Sequence, residues 1–143
     1  MTELMEMLEL CDECQACLEV CPTYKVTQDY EFSPIARIKA ARRILKGEEF
    51  TPEMRERMYT CPKCYLCVNV CPYKIDIPAI VHRSRIELAK WQLGPLEGHN
   101  KIIEGMQRLG NAVNGDPARR LDWLPEPFPA HKSSTLLYVG CLA

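Results

Sequence analysis

Apolar residues recur at helical spacing along most of this chain, with charged residues between them. Residues 2–9 interleave Leu4, Met5, Met7 and Leu8 with glutamates, a pattern typical of a short amphipathic helix that packs its apolar side on a neighbouring domain. Similar periodic stretches follow further along the chain. Together these patterns predict helices over residues 2–9, 34–46, 52–59, 77–92 and 96–109.

Start and stop signals mark the ends of these helices. Ser33-Pro34 and Thr51-Pro52 each place an N-cap residue before a proline at the first helical position. Gly47 ends the first of these two helices, and Gly94-Pro95 ends the long helix that follows the last cysteine run. The agreement between periodicity and capping predicts helices between the two cysteine-rich segments.

The two longer helices have predicted buried faces. On the helix after Pro34, these are Ile35, Ile38, Ala41 and Leu45, and on the helix over 77–92 they are Ile77, Ile80, Val81, Leu88 and Trp91. The opposite face of the first helix is basic, and it is either solvated or meets an acidic partner. That basic face holds Arg37, Lys39, Arg42, Arg43 and Lys46.

The C-terminal residues have a different pattern. Residues 122–131 contain three prolines and predict a semi-extended linker. The apolar run Leu136–Val139, followed by Gly140 and Cys141, predicts a buried strand. No partner strand is predicted upstream, and a lone strand is not stable by itself. We therefore expect that the next domain is missing or lies on another polypeptide.

Nine cysteines are present, and eight of them fall into two copies of one run. Each run has the spacing C-x2-C-x2-C-x3-C-P, which is typical of the [4Fe–4S] ligands of bacterial ferredoxins. Three thiolates spaced by two residues can surround one face of a cube-shaped cluster, whereas the fourth cysteine lies too far along the chain. The runs are Cys11, Cys14, Cys17 and Cys21 before Pro22, and Cys61, Cys64, Cys67 and Cys71 before Pro72.

The position of the fourth cysteine predicts crossed ligation of two [4Fe–4S] clusters. Cys71 would complete the cluster that the first run holds, and Cys21 would complete the cluster that the second run holds. The proline after each of them fixes φ and turns the chain. The predicted ligand sets are Cys11, Cys14, Cys17 and Cys71 for cluster 1, and Cys61, Cys64, Cys67 and Cys21 for cluster 2.

Zinc and disulfides are the alternatives for so many cysteines. Zinc also takes four thiolates, but its sites usually use two separated C-x2-C pairs, and a third cysteine in line would be surplus. Disulfides are typical of exported chains. Residues 1–10 carry three glutamates, and the apolar region of a signal peptide would contain none, so this segment does not have the pattern of an export signal. We therefore expect a metal site in a reducing, cytoplasmic compartment.

Composition narrows the class of protein. With 143 residues and 47% hydrophobic content, the chain is long enough for one globular domain plus an extension. No run approaches the roughly 20 apolar residues that span a bilayer, and no basic patch interleaved with aromatic residues indicates nucleic-acid binding. Residues 1–31 hold eight acidic side chains against one lysine, a split that either steers a charged partner or is an ordinary solvated surface.

The segment between the runs decides the fold class. Residues 22–60 contain predicted helices, whereas small bacterial ferredoxins keep their runs closer together and join them by β-hairpins. We expect a mainly α fold, namely an α-helical ferredoxin with two [4Fe–4S] clusters and a C-terminal extension that ends in a lone strand. Apolar residues beside the cysteines predict a dry surrounding for the clusters. These are Leu18, Val68, Ile75 and Ile77.

Motifs around the cysteine runs carry a family resemblance. Besides the runs themselves, they are Ser33-Pro34-x-Ala36-Arg37-Ile38 and Met58-Tyr59-Thr60 before Cys61. With these motifs the chain resembles the α-helical ferredoxin module of the heterodisulfide reductase iron–sulfur family. That family includes electron-transfer subunits of anaerobic glycerol-3-phosphate, glycolate and lactate oxidation systems. The resemblance implies an electron-transfer module of an anaerobic oxidoreductase, most like heterodisulfide reductase.

The resemblance continues toward the C-terminus. Gly110-Asn111 and the segment 120–125 are similar to the family's connector, and Val139-Gly140-Cys141-Leu142 is similar to the opening strand of its cysteine-rich CCG domain. It implies that Cys141 is a ligand of a further cluster, while a small buried hydrophobic residue is the alternative. The expected domains are a ferredoxin domain at 1–112, a Pro-rich connector at 113–134, and the opening strand of a missing CCG-type domain at 135–143.

The expected chemistry is single-electron transfer. No nucleophile–base pair or phosphate-binding loop is evident, so we assign no catalytic residue and expect substrate handling on a partner. The expected partners are a cysteine-rich catalytic subunit or domain and a flavin or other redox subunit as electron source, with any peripheral membrane association made through them. Two alternatives remain: the electron-transfer subunit of a flavin-dependent glycerol-3-phosphate, glycolate or lactate dehydrogenase, and a zinc-stabilised structural adaptor.

Overall fold

The part of the chain that the structure describes, residues 2–48, 50–125 and 132–135 of a computed structural model, is helical and contains no β-strand. The prediction of a mainly α fold is confirmed, and the strand predicted over 136–139 lies outside the described residues. The helices are α1 (Thr2–Glu9), α2 (Pro22–Thr27), α3 (Pro34–Leu45), α4 (Pro52–Tyr59), α5 (Leu66–Val70), α6 (Ile77–Lys90) and α7 (Glu97–Leu109), with 3₁₀ turns at Tyr30–Phe32 and Pro117–Arg119.

Side-chain caps explain where the longer helices begin. The Oγ of Ser33 accepts a hydrogen bond from the N–H of Ala36 at 3.1 Å, and Oδ1 of Asp76 accepts one from the N–H of Ala79 at 2.9 Å. Thr51 caps α4 in the same way. Each such cap contributes about 1 kcal/mol to stability. The five predicted helices are confirmed, and their ends agree with the prediction to within two residues.

Helices α3 and α6 form the most extensive helix pair of the first compact unit, and α1 and α4 pack against α3. Their shared apolar core explains this arrangement, because burying one large aliphatic side chain contributes about 1.5–3 kcal/mol. The core contains Leu8 of α1, Ile38, Ala41 and Ile44 of α3, Met54 and Met58 of α4, and Ile80, Val81 and Leu88 of α6.

The prediction that Arg37 lies on an exposed basic face is wrong. Only 1% of Arg37 is exposed, whereas Lys39 and Arg43 on the same helix are exposed as predicted. The physical reason is its helical position, since Arg37 precedes the buried Ala41 by four residues and shares its side of the helix. Hydrogen bonds to neighbouring groups offset the cost of burying its guanidinium.

The prediction that Trp91 is buried is also wrong, because 60% of this residue is exposed. Trp91 lies just after the last residue of α6, where the chain leaves helical geometry and the helical period no longer sets the direction of the side chain. Its ring packs against Phe50 with centroids 5.2 Å apart.

Two compact units divide the chain, residues 1–96 and the residues from Glu97 onward. The first holds both cysteine runs. In the second, α7 is followed by a loop that two hydrogen bonds between Asn111 and Gly115 close. Nδ2 of Asn111 donates to the carbonyl of Gly115 at 2.8 Å, and the N–H of Gly115 donates to Oδ1 of Asn111 at 2.9 Å. The predicted division into a cluster domain, a connector and an opening strand stays a prediction. Among the described helices, none combines the length and apolar character needed to cross a membrane.

Candidate metal-cluster sites

The eight run cysteines gather at two cavities in the first unit. One cavity is lined by the first three cysteines of the first run and the last cysteine of the second. The other is lined by the first three cysteines of the second run and the last cysteine of the first. We call these the first and second cavities. Their cysteines are Cys11, Cys14, Cys17 and Cys71, and Cys61, Cys64, Cys67 and Cys21, respectively.

This grouping is the same as the predicted ligand sets, while ligation itself stays a prediction. Cys141 lies outside the described residues. Among the described residues, no three cysteine, histidine or carboxylate side chains converge on the position of a single metal ion. Four thiolates are the full ligand set of one [4Fe–4S] cluster. The four cysteines at each cavity therefore fit such a cluster.

The remaining lining of both cavities is largely apolar. Ile35, Ile38, Ile75 and Ile77 line the first cavity, and Ile77 also lines the second. Of the residues predicted to surround the clusters, Leu18, Ile75 and Ile77 are buried and Val68 is half-buried. An apolar lining limits water access, which is one of the factors that set a cluster's reduction potential.

Short backbone segments aim the cysteines into the cavities. Glu13 and Gln15 in the first run have φ angles of 61° and 67°, and Lys63 and Tyr65 at the equivalent positions of the second run have 54° and 64°. The left-handed conformation costs a non-glycine residue about 1–2 kcal/mol. Matched strain at equivalent positions indicates that the two runs share a local fold beyond their cysteine spacing, and such strain is typical of functional sites.

One cysteine of each run reaches the surface. Cys14 and Cys64, the second cysteines of their runs, are exposed, while Cys17 and Cys21 are only 9% and 5% exposed. Each cavity thus has one edge near solvent and one deep side. For a redox site, the exposed edge is where an electron partner can approach.

Burial opposes thiolate formation at the deep side of each cavity. It raises the pKa of Cys17 to about 12, with smaller contributions from the neighbouring thiols of Cys67 and Cys11. Burial likewise raises the pKa of Cys67 to about 12, together with Cys61 and Cys64. Clustered thiols of this kind need a cationic centre before they can all ionise. The cysteines at these cavities are therefore suited to binding a cationic metal centre rather than to remaining as free thiolates.

Cys21 differs from the other deep cysteines. Burial raises its pKa, but the Thr23 hydroxyl, the backbone N–H of Tyr24 and the guanidinium of Arg37 outweigh burial, so its pKa lies below the ordinary value. The Sγ of Cys21 lies 3.2 Å from Oγ1 of Thr23. This sulfur is thus held among donors that favour its charged form.

Arg37 lines the second cavity and is locked by four hydrogen bonds. Its Nε donates to the carbonyl of Arg57 at 2.8 Å, Nη2 donates to Oγ1 of Thr23 and Thr60 at 3.0 and 3.4 Å, and Nη1 donates to Sγ of Cys21 at 3.7 Å. Sequence reasoning missed this residue. The available signal was its spacing of four from Ala41 on the buried face.

Arg85 of α6 binds backbone carbonyls at the start of the second cysteine run. Its guanidinium donates to the carbonyls of Met58, Tyr59 and Cys61 at distances of 2.5–3.3 Å. These carbonyls belong to the last turn of α4 and the residues after it, where the helix dipole places partial negative charge. Arg85 therefore fixes the chain direction just before the cysteines, a role the sequence did not indicate.

Part of the chain that includes both cysteine runs matches a known protein family. Residues 7–75 match the family model of the 4Fe-4S dicluster domain. The segment is an iron–sulfur, ferredoxin-like module. The match spans all eight run cysteines, and the module's cofactor is of the [4Fe–4S] type. Searches among curated proteins and among solved structures found no match.

Proposed function

We propose that the dicluster module holds two [4Fe–4S] clusters, one at each cavity, and relays single electrons between a redox partner and a catalytic unit. One observation carries the proposal: each cavity is lined by four cysteines, three from one run and the fourth from the other. Four thiolates are the full ligand set of one such cluster. When bound, the cluster supplies one-electron redox chemistry.

The protein's own contribution is placement and shielding. The run cysteines fix the two sites on one helical unit, and Ile77, which lines both cavities, limits water at each of them. Cys14 and Cys64 bring one edge of each site to the surface, where a partner can exchange electrons. Cys17 is buried and Cys67 is half-buried, so the opposite sides are less accessible to water.

The wider assignment is to a complex most like heterodisulfide reductase, and the family resemblance supports it. Its connector-like segment 120–125 and its final residues 139–142 lead toward a CCG-type domain in that family. We propose a cysteine-rich catalytic subunit or domain as one partner, a flavin or other redox subunit as the electron source, and a cytoplasmic location. Ligation of a further cluster by Cys141 is part of this proposal.

A reductive titration of the anaerobically purified chain tests the relay function. The protein should accept about two electrons per chain in one-electron steps, release them to a mild oxidant, and repeat the cycle without loss of colour. Cys64→Ser should alter one of the two steps, and Ser134→Ala, an exposed change outside the module, should alter neither. A chain that accepts no electrons would refute the proposal.

The partner requirement needs a separate assay. The isolated, cluster-loaded chain should not reduce a heterodisulfide with an artificial electron donor, and activity should appear only when a cysteine-rich partner is added. Turnover by the isolated chain would contradict the assignment of substrate handling to a partner.

A further inference from the structure

The charged side chains that line the two cavities have opposite signs. The first cavity is lined by the carboxylates Asp12 and Glu13, and the second by the cations Arg37 and Lys63. An added electron makes a cluster more negative, so a nearby positive charge stabilises the reduced form and a nearby negative charge opposes it. The difference in sign therefore bears on which site an electron prefers.

These four charges differ in how strongly water, salt and neighbouring charges screen them. Asp12 and Glu13 are exposed, so water weakens the effect of both charges. Glu13 is also paired with Lys39 through Oε2 and Nζ at 2.8 Å, which weakens its effect further. Lys63 is only half-buried. Arg37 is almost completely buried, and salt and water screen its charge much less. Of the two cations that line the second cavity, Arg37 is therefore the less screened.

Arg37 also lacks a negative partner in the part of the chain that the structure describes. Its hydrogen bonds reach two hydroxyls, one carbonyl and the Sγ of Cys21, and no carboxylate pairs with it there. A buried cation without a counter-charge is strongly unfavourable. The sulfur contact points Nη1 toward the cavity, where an anionic cluster with its thiolates would supply that counter-charge. A bound cluster would thus add the counter-charge that the hydrogen bonds of Arg37 do not supply.

We propose that Arg37 is the counter-charge of the second site and makes that site the easier of the two to reduce. This inference rests on the proposed function. If the cysteines of both cavities held clusters, an electron passing from the first site to the second would oxidise the first by one electron and reduce the second by one. No bond forms or breaks and no proton moves. Arg37 acts as a positioning residue because it works through Cys21 and does not itself carry the electron.

The test is a redox titration of the holoprotein followed by electron paramagnetic resonance. Spectra of Cys14→Ser and Cys64→Ser assign the signals to the first and second sites. In the wild type, the signal assigned to the second site should develop first. Arg37→Gln should lower its reduced-to-oxidised ratio at a fixed potential by about tenfold, equivalent to about 59 mV for one electron, and should change the first site much less.

Two further variants separate charge from structure. Arg37→Lys keeps the charge and should hold the second potential near the wild-type value. Lys46→Gln removes an exposed charge from the end of the same helix, about 13 Å along the axis, and should move neither potential. If the Arg37→Gln protein loses its clusters, the order of the two reduction potentials in the wild type decides the inference by itself.

The failures can be told apart. A wild-type protein with no reducible cluster would overturn the proposed function and this inference together. Two reducible clusters with the first site at the higher potential, or an Arg37→Gln shift no larger than that of Lys46→Gln, would overturn this inference only.

Discussion

Cys21 and Cys71, the last cysteines of the two runs, have exchanged cavities, so that Cys71 lines the first and Cys21 lines the second. Helices α3 and α4 lie between the runs in the sequence. Each cavity is therefore closed by residues far apart in the chain, and a cluster bound there would close a long loop, whose entropic cost the metal–thiolate bonds offset. Each site therefore depends on the other run for its fourth cysteine.

Cys21→Ser should damage the site of Cys61, Cys64 and Cys67 and leave the spectrum of the first site in place. Cys71→Ser should do the reverse. The measurement is electron paramagnetic resonance of the reduced proteins, with Ser134→Ala, an exposed change that keeps all eight run cysteines, as the control. A Cys21→Ser protein in which only the first site's signal changes would contradict the exchange.

Cluster removal should loosen the cysteine-rich segments before the helical core. Helices α2 and α5 contain no buried residue, whereas α3 and α6 carry the apolar core. After chelation we therefore expect hydrogen exchange to accelerate first in residues 11–27 and 61–71, with slower exchange retained in α3 and α6. Equal protection of α2 and α5 in the loaded and stripped protein would show that the cysteines do not anchor these helices.

Ile77→Ala should weaken both sites at once, because Ile77 lines both cavities and is 2% exposed. The truncation removes buried methyl groups and opens the lining, with an expected loss of about 2–5 kcal/mol in unfolding free energy. Cluster bleaching in air should become faster. The matched control is Ile86→Ala on the same helix, where 37% of the residue is exposed and the expected effect on bleaching is small. Similar bleaching rates for both variants would argue against the shielding role.

Ser33→Ala should lower the free energy of unfolding by about 1 kcal/mol, because the Ser33 hydroxyl caps α3 and is fully buried. Denaturant unfolding of the loaded protein measures the change. Ser134→Ala, at an exposed position, is the control and should change stability by less than about 0.5 kcal/mol. An unchanged midpoint for Ser33→Ala would mean that water or another group replaces the cap.

The sequence predicted the helices whose apolar residues repeat over two turns or more and whose starts carry a cap and a proline, as at Ser33 and Thr51. Helices α2 and α5 were missed because five or six residues show no period, and because both lie within or beside a cysteine run. The cysteine grouping followed from the run spacing rather than from any hydrophobic pattern.

Arg37 shows why the rest could not be predicted. Its residue type indicates a solvated surface, and only the contacts with Arg57, Thr23 and Cys21, which lie far from it in sequence, explain its burial. The prediction for Trp91 was wrong in the other direction. Its apolar type suggests burial, but α6 ends at Lys90, so the helical period does not apply to Trp91. In both cases tertiary contacts or a helix end overrode the local pattern.

The most direct test of the two-cluster account is a metal and sulfide analysis of the anaerobically purified full chain. We expect about eight iron atoms and about eight acid-labile sulfides per chain, with broad visible absorbance that bleaches on reduction. A colourless protein with stoichiometric zinc, or a stable and fully occupied preparation with four or fewer iron atoms, would contradict it.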